Sequence, residues 1–181
     1  MEKGTTRTRN ELASFEAAVL THLDAAYNLA RWLTRDESDA EDVVQEAMLR
    51  AYRFFGSFRG PDGRAWLLAI VRNTCRTWMR RNRSPEFMSE AVELDEVEAG
   101  GMTPEELLIR NADGEALRRA LEELPAEFRE ALVLREFEGL SYKEIALVTD
   151  SPVGTVMSRL ARARARLQRS LAVGAGAEVK A

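Results

Sequence analysis

The sequence has little of the chemistry that most enzymes use. Its 181 residues include one cysteine, Cys75, and one histidine, His22. A single cysteine cannot form an internal disulfide, which fits a reducing, cytoplasmic setting. No metal-ligand cluster, phosphate-binding glycine loop or Ser/His/Asp constellation is present. His22 lies on a predicted helix face at the boundary of the core, and a lone cysteine such as Cys75 is more often a small packed residue than a nucleophile. We therefore predict no enzymatic activity, no cofactor and no metal site.

Long hydrophobic runs are also missing. No apolar stretch approaches the length of a membrane span, and no apolar segment of the kind found in secretory signals follows Met1–Arg7. Hydrophobic residues nevertheless make up 45% of the chain, which is enough to form a packed core. We therefore expect a cytoplasmic protein with no membrane insertion.

Charge is distributed in blocks. The net charge of −4 argues against a nucleic-acid binder, but residues 47–83 contain nine arginines against one acid. Residues 84–113 contain nine acids against one base, and residues 139–170 contain six bases against two acids. Because salt screens charges beyond about 8 Å, two basic surfaces can bind phosphate on an acidic chain. Solvated helix faces are the alternative.

Apolar spacing predicts helices almost throughout, and strand patterns are absent. Residues 14–33 keep an i, i+3, i+4 spacing. Ser38 and Glu41 form a capping-box pattern, which predicts a helix with an inward stripe from Ala40 to Phe54 and Phe55. Turn residues at 56–63 predict a loop, and a further helix should run from about Ala65 to Asn82.

We predict an all-α chain of two small helical domains joined by a flexible acidic linker. The N-terminal domain comprises residues 1–83 and the linker residues 84–106, where acids and Gly100-Gly101 interrupt the periodicity. The C-terminal domain comprises residues 107–170, and residues 171–181 form a frayed tail.

The C-terminal domain contains the most specific pattern, a helix-turn-helix. Ser141 is placed to cap a short helix from Tyr142 to Val148, and Thr149–Ser151 form the turn. Pro152 suits the first position of the second helix. That helix has a predicted buried stripe of Val153, Val156, Leu160 and Leu167. Its other face is small and polar with flanking arginines, a composition that lets a helix approach base edges. An ordinary helical hairpin with solvated arginines is the alternative.

Two motif sets resemble the bacterial sigma-70-type sigma factors, above all their extracytoplasmic-function (ECF) subfamily. In the C-terminal domain, Leu140–Ala146, Pro152–Val156 and Ser158–Arg164 are similar to the reader of the promoter −35 element. In the N-terminal domain, Asp39–Arg53 is similar to the polymerase-binding helix of the family, and Trp66–Asn73 with Arg80-Arg81 to its −10 reader. The resemblance covers roughly residues 15–83 and 107–168.

The resemblance implies a transcription initiation factor that brings core RNA polymerase to promoter DNA, and it implies the contact residues. The clamp of the largest polymerase subunit would contact Asp39, Asp42, Gln45, Glu46, Leu49 and Arg50. The −10 DNA would contact Phe58, Arg59, Arg64, Arg72, Asn73, Arg76, Trp78, Arg80 and Arg81. The −35 DNA would contact Thr155, Met157, Ser158, Arg159, Ala161, Arg162 and Arg166.

The family resemblance implies further partners and one special loop. The flap of the second-largest polymerase subunit and an anti-sigma factor are the expected additional protein partners. The segment from about Ser57 to Arg64, called the −10 loop below, would capture a flipped base. Met157, Thr77 and the Gly/Pro-rich residues 60–63 depart from the family pattern, which bears on the promoter sequence rather than on the class.

A stand-alone helix-turn-helix regulator is the alternative function. Such a protein would bind DNA without polymerase and would not need the segment Asp39–Arg53. No ligand pocket or heptad zipper is indicated by the sequence.

Overall fold

The computed structural model describes residues 12–60, 62–82 and 114–178, with side chains up to residue 172. The chain divides into two compact units, one formed by the described residues up to 82 and the other by most of those from 114 onward. Every regular element in the described ranges is helical, which confirms the all-α prediction. The predicted linker at residues 84–106 and Pro61 of the predicted loop lie outside the described residues.

The N-terminal unit is built from helices that enclose one core. Helix α1 covers residues 12–18, and a 3-10 turn, Leu20–His22, separates it from α2, Leu23–Thr34. Helix α3 is Glu37–Phe54, followed by a 3-10 turn at Phe55–Ser57, and α4 is Gly63–Asn82. Helices α2, α3 and α4 pack against one another. The fully buried side chains of this unit include Val19, Leu29, Val43, Leu67, Leu68, Val71 and Cys75.

Three local predictions for this unit are wrong. Residues 14–33 do not form one helix, because the backbone at Val19 (φ −126°) breaks the helical path before the 3-10 turn. Helix α3 is capped by Asp36, whose side chain accepts a hydrogen bond from the Asp39 N–H at 2.9 Å, and not by Ser38. Phe54 is 55% exposed, because α3 passes into a 3-10 turn there and the rotation per residue changes.

Asp36→Ala should lower the free energy of unfolding of this unit by about 1 kcal/mol, because one amide at the start of α3 loses its acceptor. Ser38→Ala is the matched control, since Ser38 is an exposed residue inside the helix, and it should change stability by less than about 0.5 kcal/mol. Urea unfolding monitored by tryptophan fluorescence gives the free energy of unfolding of both variants. Equal losses in the two variants would contradict the assignment of the cap.

The C-terminal unit is a second helical assembly. Helix α5 is Gly114–Glu123, and α6 is Ala126–Leu132, which continues as a π-helical turn, Val133–Phe137. Helix α7 is Tyr142–Thr149 and α8 is Val153–Glu178, so its backbone runs beyond the predicted end at residue 170. Helices α5 and α6 pack on α8. The fully buried side chains of this unit include Phe128, Val133, Leu134, Ile145, Val148 and Leu160.

The stripe predicted for α8 is mostly correct. Val156, Leu160 and Leu167 are buried, whereas Val153 is 39% exposed because it is the first residue of the helix. Gly139 ends the preceding segment with a left-handed backbone (φ +65°), a conformation that glycine adopts readily after a helix.

A buried arginine closes the corner between α5 and α6. Arg129 is 3% exposed, and its Nη1 donates to the carbonyl oxygens of Glu122 at 2.9 Å and Leu124 at 2.8 Å. The last carbonyls of a helix have no partner inside the helix, so the Arg129 guanidinium supplies donors to carbonyls at this corner.

Candidate nucleic-acid and protein interfaces

The turn between α7 and α8 is fixed by local hydrogen bonds. Ser141 and Glu144 form a capping box: the Ser141 Oγ accepts from the Glu144 N–H at 3.3 Å, and the Ser141 N–H donates to the Glu144 carboxylate at 2.6 Å. Asp150 ends α7 in the left-handed region (φ 48°), and the Ser151 N–H donates to the Ala146 carbonyl at 3.0 Å. These bonds produce the tight turn that the sequence predicted.

The outward face of α8 is small and carries cationic side chains. Ser158 and Ala161 are exposed, and Thr155 and Arg162 are half-buried. Met157 is 53% exposed and occupies an edge of this face. Because short side chains leave the helix backbone accessible, Arg162 is the long side chain best placed to reach a base edge.

Other arginines of α8 are already engaged within the unit. Arg159 is ion-paired with Glu127 on α6 at 2.8 Å and donates to the Ser151 Oγ at 3.1 Å. Arg166 lies over the Phe128 ring, 5.4 Å from its centroid. Both predicted −35 contacts thus also hold α8 in place, so they flank the outward face rather than project from it.

Arg164 has the same structural role at the opposite edge of α8. Its Nη2 lies 2.8 Å from the Glu136 carboxylate in the π-helical turn. Burial alone would lower the pKa of Arg164, but the bonds to Glu136 and Tyr142 outweigh it, so the pKa is raised. The guanidinium therefore remains a cation that ties α8 to the π-helical turn.

On α3, the predicted polymerase-contact residues lie opposite the buried stripe. Asp42, Gln45 and Leu49 are exposed, and Asp39, Glu46 and Arg50 are half-buried. Glu46 and Arg50 form an ion pair at 2.8 Å, one helical turn apart. Leu49 is 66% exposed, and Tyr52, three residues further on, is 57% exposed. An apolar pair thus lies within a charged row, which suits contact with another protein.

The −10 loop rests on a cluster of aromatic rings. The Phe58 ring lies 4.9 Å from the Trp66 ring and 6.0 Å from the Phe55 ring. Arg59 folds back, and its Nη1 donates to the carbonyls of Gly56 at 2.6 Å and Phe58 at 2.8 Å. The Asp62 carboxylate accepts from the Ala65 N–H at 3.1 Å at the start of α4. The described parts of the loop are thus tied to α4 at both ends.

The basic residues of α4 do not all face outward. Asn73, Arg76, Arg80 and Arg81 are exposed and Arg64 is half-buried. Arg72, predicted as a DNA contact, is only 6% exposed, because position 72 shares a face with the buried Leu68 and Cys75. Trp78 is half-buried and its indole N–H is shielded from solvent. The outward cationic row of α4 is therefore shorter than predicted.

The described residues offer neither a cluster of metal ligands nor a membrane-spanning helix. Within the described ranges there is no group of three or more His, Cys, Asp or Glu residues that could hold a metal ion. None of the described helices is long and apolar enough to cross a membrane.

These features define a class: a protein that is helical throughout the described ranges, in which a helix-turn-helix accompanies a four-helix unit with a basic face. Comparison with known families agrees for both units. The family model for sigma-70 region 2 matches residues 18–84, and the one for sigma-70 region 4 matches residues 114–167.

The relatives make the family plain. The chain is 35% identical over 175 residues to the RNA polymerase sigma-H factor of Pseudomonas aeruginosa, covering 90% of this chain and 89% of that protein. It is 42% identical over 134 residues to the ECF RNA polymerase sigma-E factor of Escherichia coli K12, covering 70% of each. The chain belongs to the ECF subfamily of sigma-70-type RNA polymerase sigma factors, which direct polymerase to specific promoters.

Solved structures show the same relationship. The sigma factor RpoE from Bartonella quintana, in complex with the anti-sigma factor NepR, matches with a TM-score of 0.69 and 33% identity over 88% of this chain and 98% of that one. CnrH, in complex with the cytosolic domain of CnrY, matches with a TM-score of 0.62 and 28% identity over 90% of each chain. Since sigma-70 region 2 is matched as well as region 4, the alternative hypothesis of a stand-alone helix-turn-helix regulator is wrong.

Proposed function

We propose that three surfaces of the chain divide the work of promoter recognition. The row Asp39, Asp42, Gln45, Glu46, Leu49 and Arg50 on α3 binds the clamp of the largest polymerase subunit. What supports this assignment is the exposure of Leu49, 66%, within a charged row on the face opposite the core. Partly apolar surface rimmed by charge is typical of protein contact sites.

The second surface is the −10 reader, formed by the −10 loop and the exposed side of α4. Arg59, Arg64, Arg76, Arg80 and Arg81 supply cations for the backbone of melted DNA, with Asn73 as an exposed polar contact. Arg72 is not part of this surface because it is buried. The rings of Phe58 and Trp78, both half-buried, offer stacking surface for unpaired bases.

The third surface is the outward face of α8, which reads the −35 element. Thr155, Ser158, Ala161 and Arg162 lie nearest the bases, with Met157 at the edge, and Arg159 and Arg166 flank them beside the phosphates. The observation that carries this proposal is the contrast between Arg162 on a small outward face and Arg159 and Arg164, which are ion-paired inside the unit.

Arg162→Ala should weaken binding to the −35 element by about 1–3 kcal/mol and relax its sequence preference, because a bidentate contact to a base is lost. Arg169→Ala is the matched control: Arg169 lies two turns further along the same face, and its loss should weaken all DNA sequences alike. Binding of holoenzyme to promoter variants at several salt concentrations separates the two effects. Equal loss on every sequence with Arg162→Ala would make Arg162 a phosphate contact only.

An inhibitory partner is a further part of the proposal. RpoE of Bartonella quintana was crystallised with an anti-sigma factor, and we propose that this chain, acting in the cytoplasm, is held by a protein of that class. The flap of the second-largest polymerase subunit is proposed as a contact of the C-terminal unit. Affinity capture from the native cell should recover polymerase subunits and one small inhibitor. Recovery of polymerase alone would contradict a stable inhibitor.

A further inference from the structure

One backbone contact in the N-terminal unit leaves no room for a side chain. Gly63 is the first residue of α4 and lies against the end of α1. A Cβ added to Gly63 would lie 2.0 Å from the carbonyl oxygen of Ala18 and 3.0 Å from its carbonyl carbon. Both atoms belong to backbone, so no rotation of a flexible side chain can relieve the overlap. Only glycine permits an approach this close.

Both sides of this contact are anchored by buried side chains. Beyond its first turn, α4 is held by the buried side chains Leu67, Leu68 and Val71 against α2 and α3. On the other side, Phe15 and Val19, which flank Ala18, are buried at 5% and 0% exposure. A Cβ at position 63 needs about 1 Å of backbone movement to reach a tolerable distance of 3.0 Å, which displaces the first turn of α4 relative to the end of α1.

The same turn supports the −10 reader. Asp62 caps it through the Ala65 N–H, Arg64 is a proposed DNA contact, and Trp66 supports the Phe58 ring at 4.9 Å. Groups that recognise a bound ligand must be held to within about 0.5 Å of their working positions. A displacement of about 1 Å can lower the rate of the step that they support by up to about 100-fold.

We propose that Gly63 is a positioning residue for base selection at the −10 element: its contact with the Ala18 carbonyl sets the place of the first turn of α4. This inference rests on the proposed role of the −10 loop. It concerns selection among bases, not binding of polymerase, because the α3 row takes no part in the contact.

The test is initiation by reconstituted holoenzyme on a promoter of this factor, identified by start-site mapping and melted in advance over the −10 element. Each −10 position carries each of the four bases in turn. Gly63→Ala should reduce the preference at the captured base by about tenfold. Affinity for core polymerase and for −35 DNA should stay within about twofold of wild type. Gly56→Ala is the matched control, since a Cβ there meets nothing within 4 Å, and it should behave as wild type.

A second variant covers the case in which Gly63→Ala does not fold. Asp62→Ala removes the cap of the same turn without adding a Cβ at position 63, and it should also reduce the preference. Retention of the full preference by a folded Gly63→Ala protein, or by Asp62→Ala when Gly63→Ala is unfolded, would overturn the inference. A wild-type holoenzyme with no preference at any −10 position would instead overturn the proposed role of the loop, and the inference with it.

Discussion

Arg129→Met should destabilise the C-terminal unit by about 3 kcal/mol, because two backbone carbonyls at the corner between α5 and α6 lose bonds to a buried charged donor. The Arg129 guanidinium donates to the carbonyls of Glu122, in the last turn of α5, and of Leu124, just after that helix, at 2.9 and 2.8 Å. A loss of this size is a large part of the stability of a small helical domain, so −35 binding should fall with it.

The positions of the tryptophans allow the unfolding of the two units to be followed by different signals. All three tryptophans, Trp32, Trp66 and Trp78, belong to the N-terminal unit, whereas far-ultraviolet circular dichroism reports on the helices of both. Arg129→Met should therefore shift part of the dichroism transition in urea and leave the fluorescence transition in place. Arg118→Met is the control: Arg118 is exposed and, among the described residues, its ion pairs are with Glu115 and Glu122 on its own helix, so its loss should cost less than about 1 kcal/mol. Equal shifts for the two variants would contradict the role given to Arg129.

Leu49→Glu should weaken the affinity for core polymerase by about 2 kcal/mol or more, roughly 30-fold, if Leu49 is a buried anchor of that interface. The same substitution should leave the free chain folded, since the side chain is 66% exposed and contributes little to the core. Titration of labelled chain with core polymerase gives the dissociation constants directly.

Leu23→Glu is the matched control for that titration. Leu23 is a 43% exposed leucine at the start of α2, outside the α3 row, so it adds the same charge to the same unit. Its dissociation constant should stay within about threefold of wild type. An unchanged affinity for Leu49→Glu, or an equal loss for both variants, would place the polymerase contact elsewhere.

The sequence predicts best what depends on neighbouring residues. The helix-turn-helix was predictable because its signals are local: the Ser141 and Glu144 capping box, the turn at Asp150 and Pro152 at the head of α8. The burial of Arg72 could also have been found, since its position falls on the face of Leu68 and Cys75. The charge of Arg72 favours an outward position, whereas the helical period places it inside, and the structure follows the period.

Contacts between distant residues were beyond prediction from a single sequence. Nothing in the pattern pairs Arg159 with Glu127 or Arg164 with Glu136, because each pair is created by the packing of α8 on α6 and its π-helical turn. The contact of Gly63 with Ala18 is of the same kind. The cap of α3 shows a local limit as well. Asp36 and Ser38 are both good caps, and the left-handed Arg35 (φ 61°) before Asp36 decides where the helix begins.

The most direct test of the central claim, that the helix-turn-helix selects promoters only when the α3 row brings polymerase, is start-site mapping after overexpression. Wild type should induce a set of transcripts whose start sites share a −10 and a −35 element at fixed spacing. Leu49→Glu should abolish that set although α8 is unchanged, and Leu23→Glu should preserve it. The same start sites induced equally by Leu49→Glu, or start sites that share no −10 element, would contradict the claim.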